Sequence, residues 1–119
     1  MQLTQAELEL MMIIWQLGQA SVKDVIGHLP EGRNLAYTSV STIMRILEKK
    51  QVLSSEKIGR GHLYRPKLTK AEYEKASVQH LTQTVFTGRP ISLVKCLIEN
   101  DGLSENEISQ LRKLLESDS

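Results

Sequence analysis

Four segments of this chain open with the same local signal, a Ser or Thr followed three residues later by an acid: Thr4 with Glu7, Ser21 with Asp24, Thr69 with Glu72, and Ser104 with Glu107. At a helix start the hydroxyl accepts from an orphan amide of the first turn, and the acid reaches back to the cap's own amide. Leu3/Leu8, Ala20/Val25, Leu68/Tyr73 and Leu103/Ile108 stand where hydrophobic staples close such starts. Stops follow in order. Gly18 comes after the first helix, Pro30 after the second and Gly88 after the fourth, Asp101-Gly102 separates the last two, and Pro90 suits the first turn of a fifth. In 119 residues this punctuation predicts a mainly helical chain with one compact domain and an appendage, and it excludes a large enzyme.

The apolar residues repeat with helical spacing. Leu8, Met11 and Trp15 are expected to form the buried stripe of the first helix, with Trp15 as core and not as a ligand platform. Val22, Val25, Ile26 and Leu29 mark the second helix, and Val40, Ile43, Met44 and Leu47 the third, each buried on one face. After Lys50 the pattern changes. Gln51-Val52-Leu53 and Glu56-Lys57-Ile58, a Gly-Arg-Gly turn at 59 to 61, and His62-Leu63-Tyr64-Arg65-Pro66 read as a β-hairpin with its tip at Arg60. The two glycines lack the third glycine, the Lys-Ser/Thr and the following helix that a phosphate loop needs.

Net charge is +1, yet the charges are segregated. From Arg33 to Lys70 there are nine basic residues and two acidic ones, whereas from Ala71 onward five basic residues face eight acidic ones. Such asymmetry predicts two halves with different partners. Aromatic residues make up only 4% of the chain, too few for a base-stacking platform on single-stranded nucleic acid.

The third helix gives the basic segment its meaning. At about 100° per residue, Thr38, Ser41, Thr42, Arg45 and Lys49 share one face, and Val40, Ile43, Met44 and Leu47 lie opposite. The polar face holds short hydroxyls and no acid near its N-terminal end, then two cations, with Glu48 off to the side. Short side chains let a helix sit deep in a major groove, and an arginine one turn further on reaches guanine or a phosphate. Three helices followed by a hairpin predict a winged helix-turn-helix, with Lys57, Arg60, His62 and Arg65 on the wing along phosphates or the minor groove. The competing reading is a winged-helix adaptor that binds protein, which needs neither the basic run nor the hydroxyl-rich face.

The run Leu3-Thr4-Gln5-Ala6-Glu7-Leu8-Glu9, then Met12-Ile13-Ile14-Trp15, and the third-helix run from Ala36 to Lys50 resemble the penicillinase-repressor family of the BlaI, MecI and CopY type. The tail Ile91-Ser92-Leu93-Val94 with Leu103-Ser104, Glu107-Ile108 and Leu111 resembles that family's dimerisation region. The resemblance implies a homodimeric transcriptional repressor on double-stranded palindromic operator DNA with half-sites of the TACA/TGTA kind. It places Tyr37, Thr38, Ser39, Ser41, Thr42 and Arg45 toward the operator. It also implies a membrane sensor-protease as a partner of the β-lactam branch, cutting an Asn-Phe bond in the fifth helix, where this chain holds Cys96-Leu97. The copper-responsive branch carries paired Cys-x-Cys motifs near its C-terminus, and this tail has Cys96 alone, so no metal or other cofactor is expected.

The expected division is a winged-helix DNA-binding domain over residues 1–68 and a three-helix dimerisation region over 69–119. The second region carries apolar stripes at Val78, Leu81, Val85 and Phe86, at Ile91, Val94, Leu97 and Ile98, and at Ile108, Leu111, Leu114 and Leu115. About 50 residues in three short helices make a poor core of their own. A second copy of the chain is the expected cover, through Leu81, Val85, Phe86, Leu93, Val94, Leu97, Leu111 and Leu115; folding back on the winged domain is the alternative.

Enzymatic chemistry finds no support. His28, His62 and His80 lie on different elements without metal-ligand spacing, and no Ser or Thr stands in a nucleophile elbow. Cys96, among apolar residues, is read as a small buried hydrophobe, and a single cysteine suits a reducing compartment. The opening residues lack a basic n-region, and the apolar run Leu10 to Trp15 is too short for a signal sequence or a membrane span, so a cytoplasmic protein without membrane insertion is expected.

Overall fold

The structure is a computed structural model and describes residues 2–117. Six helices and one hairpin follow in the order α1 (Gln5–Leu17), α2 (Val22–Gly27), α3 (Tyr37–Lys49), β1 (Leu53–Ile58), β2 (Gly61–Pro66), α4 (Lys70–Thr84), α5 (Pro90–Glu99) and α6 (Glu105–Ser117). The chain divides into two compact units, Met1–Ser77 and Val78–Ser119.

All four capping boxes form. The Glu7, Asp24, Glu72 and Glu107 amides donate to the Thr4, Ser21, Thr69 and Ser104 hydroxyls at 3.1 Å, and each acid accepts from the amide of its cap. These hydrogen bonds hold the Asp24 and Glu72 carboxyls below their ordinary values. Gly18 ends α1 at a φ of 86°, a left-handed conformation that glycine adopts without Cβ strain.

The first unit has one core. Leu10, Met11 and Ile14 of α1, Val25 of α2, and Val40, Met44 and Leu47 of α3 are fully buried, together with Val52, Leu53 and Tyr64 around the hairpin. The stripe of α1 is thus centred on Leu10, Met11 and Ile14, whereas Leu8 and Trp15 are only partly buried at its margin. Six apolar residues in succession suit several helix faces, and the packing of α3 selects among them. Trp15 is anchored at the edge: its Nε1 donates to the Leu68 carbonyl at 2.9 Å, and its ring lies 5.7 Å from that of Tyr73.

The hairpin is antiparallel with Leu53 opposite Pro66 and Ile58 opposite Gly61, leaving Gly59-Arg60 as a two-residue loop. Gly59 has a φ of 61°, as such a loop requires at its first position. Ala20 and Tyr64 exchange backbone hydrogen bonds at 2.9 and 2.8 Å, which ties β2 to the segment between α1 and α2.

In the second unit α4 stops at Thr84, so Val85 and Phe86 lie in a turn beyond it and not in the helix the stripe suggested. The turn contains Thr87 at φ 49° and Gly88 at φ 77°. Neither α5 nor α6 contains a buried residue; Leu81, Val85, Leu97 and Leu115 are exposed, and Phe86, Leu93, Val94 and Leu111 are partly buried. Cys96 is exposed, contrary to its expected burial, because α5 turns no face into a core; the Asn100 side chain donates to its carbonyl at 2.9 Å.

One ion pair links the start of α1 to the end of α3. Lys50 Nζ lies 2.7 Å from Glu7 Oε2, and Glu7 is buried. Burial alone pushes the Glu7 carboxyl up, but hydrogen bonds from Lys50 and from the Thr4 amide, with the Lys50 charge, outweigh it and hold the group below its ordinary value of 4.5. The stabilisation is therefore complete above that value and is lost as pH falls through the lowered one. Glu7→Gln, which keeps a capping residue at this position, should reduce stability by about 1–3 kcal/mol at neutral pH. In urea unfolding followed across an acid series, the gap between the two proteins should close at low pH; a gap independent of pH would contradict the assignment.

Candidate nucleic-acid interface

The burial of Val40, Met44 and Leu47 fixes the rotation of α3, so Thr38, Thr42, Arg45 and Lys49 are exposed on the opposite side and Ser41 is partly so. Tyr37 and Ser39, in the first turn, are exposed as well. That turn contains no acid and no side-chain cap. Thr42 Oγ1 donates back to the Thr38 carbonyl at 2.8 Å.

The hairpin stands beside this helix. Ser55 donates to Glu48 Oε2 at 2.6 Å, which engages the one acid of α3. Ser55 pairs with Tyr64 and Lys57 with His62, so these four residues occupy the face of the ribbon that Tyr64 turns into the core. Between α3 and the hairpin lies a cleft of about 520 Å³ lined by Lys23, Tyr37, Ser41, Arg45, Arg60 and His62, among others, with Tyr64 at its base. Burial raises the Tyr64 phenol above its ordinary value, and Glu48 adds to the shift.

The structure therefore brings Tyr37, Ser41, Arg45, Arg60 and His62 to one cleft, with Thr38, Thr42 and Lys49 on the same helix and Lys57 across the ladder from His62. Arg65 is placed apart. It sits one residue out of phase with Tyr64, on the other face of the ribbon, where its guanidinium binds Glu56 at 2.9 Å and Gln19 at 3.0 Å. Lys23 of α2 is a cleft residue that sequence reasoning missed. Its sequence signal is slight: it is a lysine outside the Val22, Val25, Ile26 stripe of α2, and its place beside Tyr37 is set by the fold.

Among the described residues, Arg33 pairs with Glu9, Lys50 with Glu7, Arg65 with Glu56 and Lys70 with Glu74, whereas Lys23, Arg45, Lys49, Lys57 and Arg60 have no carboxylate within 4.0 Å. Those five belong to the cleft, the exposed face of α3 and the wing; Lys67, Lys75, Arg89, Lys95, Arg112 and Lys113 have no such carboxylate either and lie outside these. The described residues hold no group of three His, Cys, Asp or Glu that could bind a metal, and no helix long and apolar enough to cross a membrane.

Comparison with known proteins bears on the same elements. The penicillinase repressor of Bacillus licheniformis is 30% identical over 115 residues, covering 97% of this chain and 90% of that protein. The methicillin resistance regulatory protein MecI of Mammaliicoccus sciuri is 26% identical, covering 96% and 93%. The solution structure of the DNA-binding domain of the repressor BlaI matches 60% of this chain and 88% of its own at 30% identity, with a TM-score of 0.54. A second solution structure, the Bacillus licheniformis BlaI monomeric form in complex with the blaP half-operator, matches 61% and 89% at 30% identity and a TM-score of 0.51. These matches identify the first unit as a winged helix, and the family model described as penicillinase repressor extends the match over residues 3–117. Both units are included in that span, and the chain belongs to the penicillinase-repressor family, whose members are transcriptional repressors and not enzymes.

Proposed function

We propose that this protein is a sequence-specific transcriptional repressor that binds an inverted-repeat operator as a homodimer, and that it is of the β-lactamase-regulating type. The observation that carries the reading is a concentration of cations without carboxylates at one place: Lys23, Arg45, Lys49, Lys57 and Arg60 line the cleft, the wing and the exposed face of α3, while the paired Arg33, Lys50, Arg65 and Lys70 lie away from the cleft. An unpaired cation near a duplex releases condensed counterions when it meets a phosphate. Thr38, Ser41 and Thr42 are short enough for α3 to approach base edges, and Arg45 is long enough to reach guanine O6 and N7. Thirteen residues give α3 a length of about 20 Å, enough to cross a major groove. Arg60, at the tip of the wing, meets the backbone beside it. Lys57 and His62 extend that contact, and Arg65 acts by holding the ribbon through Glu56 and Gln19. The half-operator bound by the BlaI neighbour is the kind of ligand this arrangement suits.

The second unit supplies the dimer. Leu81, Val85, Leu97 and Leu115 are exposed, and α5 and α6 have no core of their own, so the apolar stripes call for a second copy, with Phe86, Leu93, Val94 and Leu111 beside them. A two-fold axis then presents two α3 helices to two half-sites and multiplies a modest affinity for each. The β-lactamase type is supported by the names of the relatives, a penicillinase repressor and a methicillin resistance regulator. The membrane sensor-protease that the family resemblance implies would meet the exposed pair Cys96-Leu97 at the matching bond of α5.

Fluorescence anisotropy across a salt series, on the duplex upstream of the protein's own gene and on a scrambled duplex, tests the interface. Arg45→Ala should cost about 1–3 kcal/mol on the first duplex and narrow the gap to the second. Arg60→Ala should weaken both alike and reduce the salt slope by about 1. If neither change altered binding, a protein-binding adaptor would replace this reading. Leu81→Asp with Leu97→Asp should give monomers by size exclusion with light scattering, whereas an unchanged dimer mass would reject the assigned interface.

A further inference from the structure

We infer that Thr42 and Ile46 form a methyl-reading patch on α3 that selects thymine by its C5-methyl group. The inference rests on the DNA-binding reading above and names what one part of that interface recognises.

Thr42 has one hydroxyl proton, and it is engaged by the Thr38 carbonyl at 2.8 Å. No proton is left for a base acceptor such as guanine O6 or purine N7. What Thr42 offers a partner is the remaining acceptor capacity of its oxygen and its γ-methyl group. Ile46 stands one helical turn further on, about 40° round the axis from Thr42, and is 41% exposed on a helix whose other apolar residues, Val40, Ile43, Met44 and Leu47, are turned into the core. Thr42 and Ile46 line a shallow hollow of about 500 Å³ with Arg45, Glu48 and Lys49. Its one acid, Glu48, accepts from Ser55, and its two cations have no carboxylate within 4.0 Å among the described residues.

Those cations commit the hollow to an anionic partner, while its centre is apolar. In the major groove the thymine methyl is the apolar group that base edges present. A duplex satisfies both halves at once, with phosphates for Arg45 and Lys49 and thymine methyls for Thr42 and Ile46. Ile46 was absent from the sequence-based face because an apolar residue does not register on a wheel sorted by polarity.

The test begins with a duplex enriched by the full-length protein from a random-sequence pool, in which each thymine is replaced in turn by deoxyuridine, a change that removes only the C5-methyl. Each buried methyl contact corresponds to about a fourfold change in affinity. Wild type should lose about that factor at one or two positions per half-site and be indifferent elsewhere. Thr42→Ser, which keeps the hydroxyl, and Ile46→Ala should each abolish the preference for thymine at one of those positions, read as the ratio of thymine to deoxyuridine affinity within each variant. Specific binding with equal affinity for thymine and deoxyuridine at every position would overturn the methyl-reading role and leave the DNA-binding reading standing. A pool that yields no enriched sequence would overturn both.

Discussion

The one-sided burial of α3 governs what the first unit presents to a partner. Val40, Met44 and Leu47 have no exposed surface, and each methylene removed from water contributes on the order of 0.8 kcal/mol. Rotating the helix to offer another face would expose this stripe and bury Arg45 or Lys49 without partners, so the hydroxyls and cations have one direction available. The rest of the first unit serves that direction. Leu10, Met11 and Ile14 supply the opposing surface, the Glu7–Lys50 pair fixes where the end of α3 meets the start of α1, and two hydrogen bonds between Ala20 and Tyr64 set the wing beside it. Tyr64 links these parts: its backbone anchors β2 to the segment before α2, and its ring floors the cleft shared by wing and helix.

Charge follows the same division. Carboxylates neutralise the cations that brace the fold, as Glu9 does for Arg33 through three contacts of 3.0 to 3.3 Å, and they are missing around those that face outward from α3 and the hairpin tip. A near-neutral chain thereby shows one basic face, without the general nucleic-acid stickiness of a uniformly basic protein. The second unit keeps its apolar side chains open. The proposed division of labour, recognition in the first unit and pairing in the second, rests on this difference.

Much of this was legible in the residues, and the exceptions have physical causes. The four capping boxes are local, so the sequence shows them as plainly as the structure does. The α3 face was legible because its polar and apolar sets occupy opposite halves of the wheel. The α1 stripe was misassigned because Leu10 to Trp15 is apolar throughout, and only the docking of α3 chooses a face. Arg65 looked like a free wing cation because Gln19 is 46 residues away in the chain. Cys96 looked buried because its neighbours are apolar, but α5 contains no buried residue. Lys23 and Ile46 carry no sequence signal of their place: one is a lysine outside the basic run, and the other belongs neither to the polar face of α3 nor to its buried stripe.

Function here turns on whether DNA meets the face bounded by α3 and the wing. Amide chemical-shift mapping of the isotope-labelled protein, on addition of the duplex upstream of its own gene, tests it most directly. Perturbations should concentrate on Tyr37 to Lys49, on Lys57 to His62 and on Lys23, and leave the Glu9–Arg33 side of the first unit unmoved. Perturbations centred on that opposite side, with α3 and the wing silent, would contradict it.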